Sequence, residues 1–282
     1  MTAPRSLFET PVVSDTCQRW AHGRHSWRHT SEGGFDPNRY AVEPIGELAA
    51  KTMIVEHHYA HSFPASSHRY GLIDLHDDNA LVGVVVLGVP ASRKVLTNVF
   101  PELEPYRESL ELSRLVCLPA APAPAESFFV ARAFAQAAAL GVRGVVSFAD
   151  PVPRRAADGT LVKRGHQGVV YRALNAAYLG RSTRRTITLL PDGTVFNDRS
   201  AQKIRQQERG HDHVERKLVA LGAPVMRAGQ RPADWLRDAL DHIGYDKVSH
   251  PGNHRFGWRL GSKSQRRAVS LGIEPRPFQA AA

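Results

Sequence analysis

Three short runs in this 282-residue chain gather side chains that can do chemistry. The first is Val55-Glu56-His57-His58-Tyr59-Ala60-His61-Ser62. On a helix, His57 and His61 fall on one face at i and i+4, a spacing compatible with a metal ion. The zinc-protease pattern H-E-x-x-H is absent, because Glu56 precedes the first histidine. The chain carries 14 histidines, so chance clustering also counts. Three roles stay open: contact with substrate or reacting atoms, a metal site built from His57, His58 and His61, or packing.

The second run is Glu111-Leu112-Ser113-Arg114-Leu115 inside an apolar, strand-like segment. Charges there need partners, since an unpaired buried charge is costly. Strand alternation predicts Glu111 and Ser113 on one face, with Leu112 and Arg114 on the other. Arg114 then suits a phosphate or carboxylate at the strand end, and an internal Glu–Arg pairing explains the residues almost as well. The third run is Ser147-Phe148-Ala149-Asp150-Pro151, followed by Gly165-His166-Gln167-Gly168. Asp150 at a strand end suits a base or an orienting acid, or simply caps the turn before Pro151. Tyr171, Asn175 and Tyr178 at helical spacing predict a polar-aromatic face.

These runs must be positioned by regular elements. ALVGVVVLGVP is a buried strand, joined to SSHRYGLIDL across an Asp77-Asp78-Asn79 turn. SLELSRLVCLP is a further strand and SFFVARAFAQAAALG a helix closed by Gly141, after which VRGVVSFADP is a buried strand. A strand–helix–strand crossover of that length implies one parallel pair in a mostly antiparallel sheet. Ligands gather at strand ends beside such a pair. HQGVVYRALNAAYLG reads as a second helix closed by Gly180, and RRTITLLPDGTVF as a strand, a turn and a short strand. A helix follows, capped by Asn197 or Asp198 and open to interruption at Gly210, then PADWLRDALDHIG and the late strand HRFGWRLG. The expected fold class is α/β (α+β): a mixed, mostly antiparallel sheet flanked by helices. Residues 1–50 read as an irregular arm, 51–282 as the main domain, and about 198–246 as a basic helical insert before the last strand.

Net charge is 37 − 27 = +10. Eight basic residues against one acid lie between Arg154 and Arg185, and six against none between Lys247 and Gly272. Such stretches attract a polyanion, with double-stranded DNA the expected partner. Arg205, Arg209, Arg255, Arg259, Lys263, Arg266 and Arg267 are the expected backbone contacts, and His166, Asn175 and Tyr178 are further substrate contacts. Cys17 and Cys117 are too few for a disulfide framework. No apolar stretch has the length of a membrane span and the N-terminus lacks a signal core, so a cytoplasmic location is expected.

The ordered set HHYAHSFP, VGVVVLGVP, ESLELSRLVCLP, ESFFVARAF, GVVSFADP, GHQGVVYRALNAAYLGR and NHRFGWRLG resembles the Mom-type DNA modification proteins of phages and their actinobacterial relatives. Motif order over roughly 55–261 carries the resemblance. It implies a GNAT-like (acetyltransferase-like) fold and transfer of a small carbamoylmethyl or acyl-derived group to the N6 amine of adenine, protecting phage DNA from restriction. It further implies catalytic roles for His58-Tyr59 or the neighbouring His57, and for Ser113, Asp150 and Tyr171. Glu111, Arg114 and Ser127 become the donor contacts, with acetyl-CoA or a related acyl donor, and iron, as implied cofactors. One departure stands out. Acetyltransferases hold the coenzyme A diphosphate on a glycine-rich loop at a helix N-terminus, whereas here the loop is Pro119-Ala120-Ala121-Pro122-Ala123-Pro124-Ala125-Glu126. It has no glycine, three residues without N–H donors, and an acid. The rival readings are a conventional N-acetyltransferase of a small molecule or protein, and a DNA-binding protein without catalysis.

Overall fold

The computed structural model describes residues 16–278. In chain order it contains β1 (Thr16–Ala21), β2 (Arg24–His29), β3 (Tyr40–Pro44), α1 (Glu47–His57), β4 (Ser66–Asp74), β5 (Ala80–Gly88), α2 (Lys94–Thr97) and β6 (Ser109–Cys117). There follow α3 (Ala125–Ala139), β7 (Gly144–Ala149), β8 (Arg154–Arg155), β9 (Leu161–Lys163), α4 (Val169–Ala173), β10 (Ala177–Arg181), β11 (Arg185–Leu189) and β12 (Val195–Phe196). The chain continues through α5 (Asp198–Gln206), α6 (His211–Ala220), α7 (Pro232–Ile243), β13 (Asp246–His250), β14 (His254–Arg259) and α8 (Lys263–Ala268).

These elements divide between two compact units. The larger runs to Pro151 and adds 166–182 and the chain from Asn253 onward; the smaller comprises 152–165 and 183–252. The larger unit holds a seven-stranded sheet in the order β10-β14-β7-β6-β5-β4-β3. All its neighbours are antiparallel except β6 and β7. This is the mixed, mostly antiparallel α/β sheet expected from the sequence, with its parallel pair spanning the α3 crossover. One face packs on α3 through Leu87, Leu112, Phe129, Ala133 and Val145. The other packs α1 and Trp20 of β1 against Val84, Val86 and Val116.

The smaller unit pairs β12-β11-β13 and, separately, β8-β9. Its helices α5, α6 and α7 close over Ile204, Leu218, Trp235 and Leu236. Asn197 caps α5 by accepting from Ser200 N–H at 2.8 Å. The helix breaks before α6, where Gln207 and Gly210 both take positive φ.

Three local expectations are corrected. Where an irregular arm is expected, the described part from Thr16 forms the β1–β2 hairpin and β3, the edge strand of the large sheet; residues 1–15 of that arm lie outside the described residues. The second helix ends at Ala173 rather than running to Gly180. Asn175 takes φ +56, and Ala176 N–H returns to Tyr171 carbonyl at 3.0 Å, the bond that closes a helix in a left-handed turn. Ala177–Arg181 is then strand β10 against β14, so Tyr171, Asn175 and Tyr178 do not share a helical face. The third correction concerns β6. Val86 pairs with Arg114 and Leu87 with Leu112, leaving Ser113 as an extra residue in a bulge. The bulge shifts the phase of alternation, so Leu112 faces α3 while Arg114 joins Glu111 on the α1 side. Among the described residues, no helix is long and apolar enough to cross a membrane.

Candidate active site

The parallel ladder between β6 and β7 is short. It pairs Ser109 with Gly144, Leu110 with Val145 and Glu111 with Val146, and then stops. Beyond Glu111 the two strands part, leaving a fork whose backbone edges are not spent on each other. Ser147 Oγ spans the fork by donating to Leu112 carbonyl at 2.9 Å. Tyr171 enters from α4, 6% exposed, and hydrogen-bonds Ser147. Ser147's single proton is already given to Leu112, so Tyr171 is the donor in a relay that ends on a carbonyl. Burial pushes the Tyr171 phenol up to about 12, so it stays protonated at neutral pH.

Glu111 sits at the root of the fork. Burial holds its carboxyl above the usual range, opposed by the nearby Arg114 guanidinium. Arg114 is fixed by donating to Ser62 carbonyl at 3.2 Å, Ser62 Oγ at 3.1 Å and Ser113 carbonyl at 2.7 Å. Burial lowers its affinity for a proton, and Tyr59 and Glu111 act in the opposite sense. The fork thus brings together Glu111, Ser113, Arg114 and Tyr171 from the expected set.

His58 and Tyr59 follow the last residue of α1. Their rings lie 4.3 Å apart, and Trp20 lies 5.1 Å from Tyr59 and 5.9 Å from His58. His58 Nδ1 accepts from Ala60 N–H at 3.0 Å. Asp150 follows the C-terminal end of β7, and its carbonyl accepts from His166 N–H at 2.7 Å. His166 Nδ1 accepts from Gly168 N–H at 2.8 Å, which ties the loop to the start of α4. Gly168 has φ +67, and a Cβ there would lie 2.4 Å from the Phe256 ring, so only glycine fits. Tyr178 instead pairs its hydroxyl with His254 Nδ1 at 3.0 Å, and burial lowers His254 to about 4. Asn175 lines a different cavity.

The expected metal set does not form. The helix ends at His57, so the i, i+4 geometry is lost, and His61 turns back with Nδ1 2.8 Å from Val55 carbonyl. His57 groups instead with His22 and Glu56. Glu56 Oε1 lies 3.3 Å from His22 Nδ1 and 3.7 Å from His57 Nε2. His57 Nδ1 already accepts from His22 N–H at 3.1 Å, which puts the proton of the neutral ring on Nε2, the atom facing Glu56. The cluster is hydrogen-bonded as it stands, and its two histidines and one carboxylate are a donor set that non-haem iron takes.

Coenzyme A does not fit the loop before α3. Ser127 donates to Pro124 carbonyl at 3.1 Å and closes the start of α3 on itself. Arg19 of β1 reaches into the loop before α3 and is 0% exposed. Nothing in the sequence marked Arg19, because burial of an arginine leaves no local pattern.

The basic residues separate in space. Arg259 pairs with Gly144 at the start of β7, whereas Asp150 follows its other end. About five residue steps of roughly 3.3 Å, or about 17 Å, lie between the two ends. Arg259 thus lies at the end of β7 away from Asp150. Arg259, Lys263, Arg266 and Arg267 line a cavity of about 740 Å³ beside Trp258 and α3, with no carboxylate in its wall among the described residues. Arg255 is on β14 opposite Phe148, toward the fork end. Arg205 is on α5 of the smaller unit, and Arg209 follows that helix.

The family model for the Mom protein family matches residues 39–230. The chain belongs to the Mom family. No curated protein matches it in sequence. Among solved structures it is similar to a tandem GNAT protein from the clavulanic acid biosynthesis pathway, without AcCoA, at TM-score 0.41 and 10% identity. That match covers 79% of this chain and 99% of the other. It is also similar to a crystal structure assigned as a phosphinothricin N-acetyltransferase, at TM-score 0.34 and 11% identity, with coverage of 79% and 99%. The Mom match contains Tyr59, Glu111, Ser113, Arg114, Ser147, Asp150, His166 and Tyr171, so the whole fork lies within it.

Proposed function

We propose that this Mom-family protein is a transferase that modifies the N6 amine of adenine in double-stranded DNA, with the fork as its reaction centre. The observation that carries the reading is that every chemistry-bearing fork residue falls inside the family match. Adenine N6 is buried in a base pair, so the base must leave the stack to be reached. Tyr59, one corner of a triangle of rings with Trp20 and His58, offers a ring for that base to stack on. The N6 lone pair forms the new C–N bond while the leaving group departs with its bonding electrons. Glu111, whose carboxyl burial holds above the usual carboxylate range and so makes a stronger base once ionised, takes the N6 proton. Asp150 at the end of β7 orients the exocyclic amine, and Arg114 offers positive charge to the departing group. Ser147 and Tyr171 keep the fork open and dry.

In this reading the modified base shields phage DNA from restriction, and the protein works in the host cytoplasm. The test is mass spectrometry of nucleosides from the DNA of cells expressing the protein. An adenosine of increased mass is expected with the wild type, and none with a folded Asp150→Ala protein. Unchanged yield in that variant removes Asp150 from the mechanism, and unmodified nucleosides with the wild type overturn the reading.

A further inference from the structure

We infer that the N-terminal hairpin supplies a permanent internal occupant, Arg19, to the loop and helix start where an acetyltransferase would hold a diphosphate, so that the donor used at this fork is not a coenzyme A thioester. The inference deepens the proposed function by restricting its donor class. A guanidinium has five N–H donors, and those of Arg19 find five acceptors. Nε donates to Ala121 carbonyl at 2.8 Å. Nη1 donates to Gln18 carbonyl at 2.8 Å and faces Glu126 Oε1 at 3.2 Å. Nη2 donates to Pro122 carbonyl and, at 3.2 Å, to Ala123 carbonyl. No donor is left for a phosphate.

Much of the loop is committed as well. Pro119, Pro122 and Pro124 have no N–H, Ala121 N–H bonds Leu118 carbonyl, and Ala125 N–H bonds Pro122 carbonyl. Three successive carbonyls, those of Ala121, Pro122 and Ala123, turn toward a cation, the opposite polarity from an anion cradle. Glu126 lies in the first turn of α3 and brings its own carboxylate to the helix N-terminus, the place where an external anion would be favoured. Cys17, beside Arg19 on β1, hydrogen-bonds the same carboxylate. A diphosphate arriving there meets a partly buried negative charge already matched by Arg19, while Arg28, a second cation at the loop, is held by Pro119 carbonyl at 2.9 Å and by Glu32 at 2.7 Å.

Isothermal titration of the full chain with coenzyme A and with acetyl-CoA, each to about 1 mM without DNA, tests the inference. No saturable binding is expected, and any saturable binding overturns it. An Arg19→Met,Glu126→Gln protein, shown folded by circular dichroism, gives a second reading. It opens the loop by removing both charges, and it should still fail to bind because the proline loop offers too few N–H groups. Binding gained by this variant would place the exclusion in Arg19 and Glu126 alone and overturn the role assigned to the loop. Because the titration contains no DNA, its failure is distinguishable from failure of the nucleoside assay.

Discussion

Replacing Arg19 by Met removes the cation from a buried pair and keeps most of the side-chain volume. Arg19 is 0% exposed at its side chain and Glu126 15%, so water can rescue little of what is lost. Removing one member of a buried ion pair costs about 3–5 kcal/mol, because the survivor is left charged and unpaired. For a unit of this size that corresponds to a fall in Tm on the order of 10 °C. The loss should depend on pH. Burial already raises Glu126 above its ordinary value of 4.5, with Arg19 opposing the rise. Without Arg19 the carboxyl moves higher still. Between the unfolded and folded values the native state binds more protons than the unfolded one, so stability falls as pH rises through that window. Arg19→Met should therefore be most damaging above the raised value and partly recover as pH drops toward 4.5. Adding Glu126→Gln should restore part of the loss at pH 8 and flatten the pH dependence. Melting curves from pH 5 to pH 8 measure all three. A variant that melts like the wild type, or a double variant no better than the single, would refute the claim that Arg19 and Glu126 are a coupled buried pair.

Glu111→Gln should leave the fold intact and reduce nucleoside modification by 10²-fold or more, the usual range for a lost general base. In the wild type, activity should rise with pH through the raised Glu111 value, and this acid limb should be missing from the residual activity of the variant; an unchanged pH profile assigns the proton to another group. Arg266→Ala with Arg267→Ala should weaken DNA binding across sequences and reduce the slope of log K against log salt by about 1.8, at about 0.9 per phosphate contact. An unchanged slope puts the DNA grip elsewhere than the basic cavity. Gly168→Ala should lower Tm and activity together, because the new methyl meets Phe256 and forces the loop carrying His166 to move; full activity at wild-type Tm contradicts that fit.

The sheet was legible because its signals are local. ALVGVVVLGVP and GVVSFADP are apolar runs of strand length, and the Ala-rich helix between two strands forces a parallel pair. Gly210 broke its helix as its conformational freedom suggests. Other features were hidden because they depend on contacts distant in sequence. The bulge at Ser113 is set by pairing with β5, so alternation alone misassigned the face of Arg114. The helix after His166 stopped early because Asn175 adopts a left-handed turn, and Ala-Tyr-Leu-Gly then served as an edge strand. Glu111, Arg114 and Tyr171 could be named as candidates from residue type, but their convergence with Ser147 depends on where a two-strand ladder ends. The His57–His61 spacing looked like a metal face only while the helix was assumed to continue.

The contacts of Arg19 with the loop span 102, 103 and 104 residues of sequence. At a synthesis rate of about 5–20 residues per second, the hairpin leaves the ribosome roughly 5–20 s before its acceptors are made. During that interval β1 and β2 have neither the sheet face that buries Trp20 nor the carbonyls that hold Arg19. The first part of the described chain to be made is thus among the last to dock, after α1, β4, β5, β6 and the loop before α3 exist. A nascent chain halted before Glu126 emerges should expose the hairpin to protease, and one halted beyond β7 should protect it.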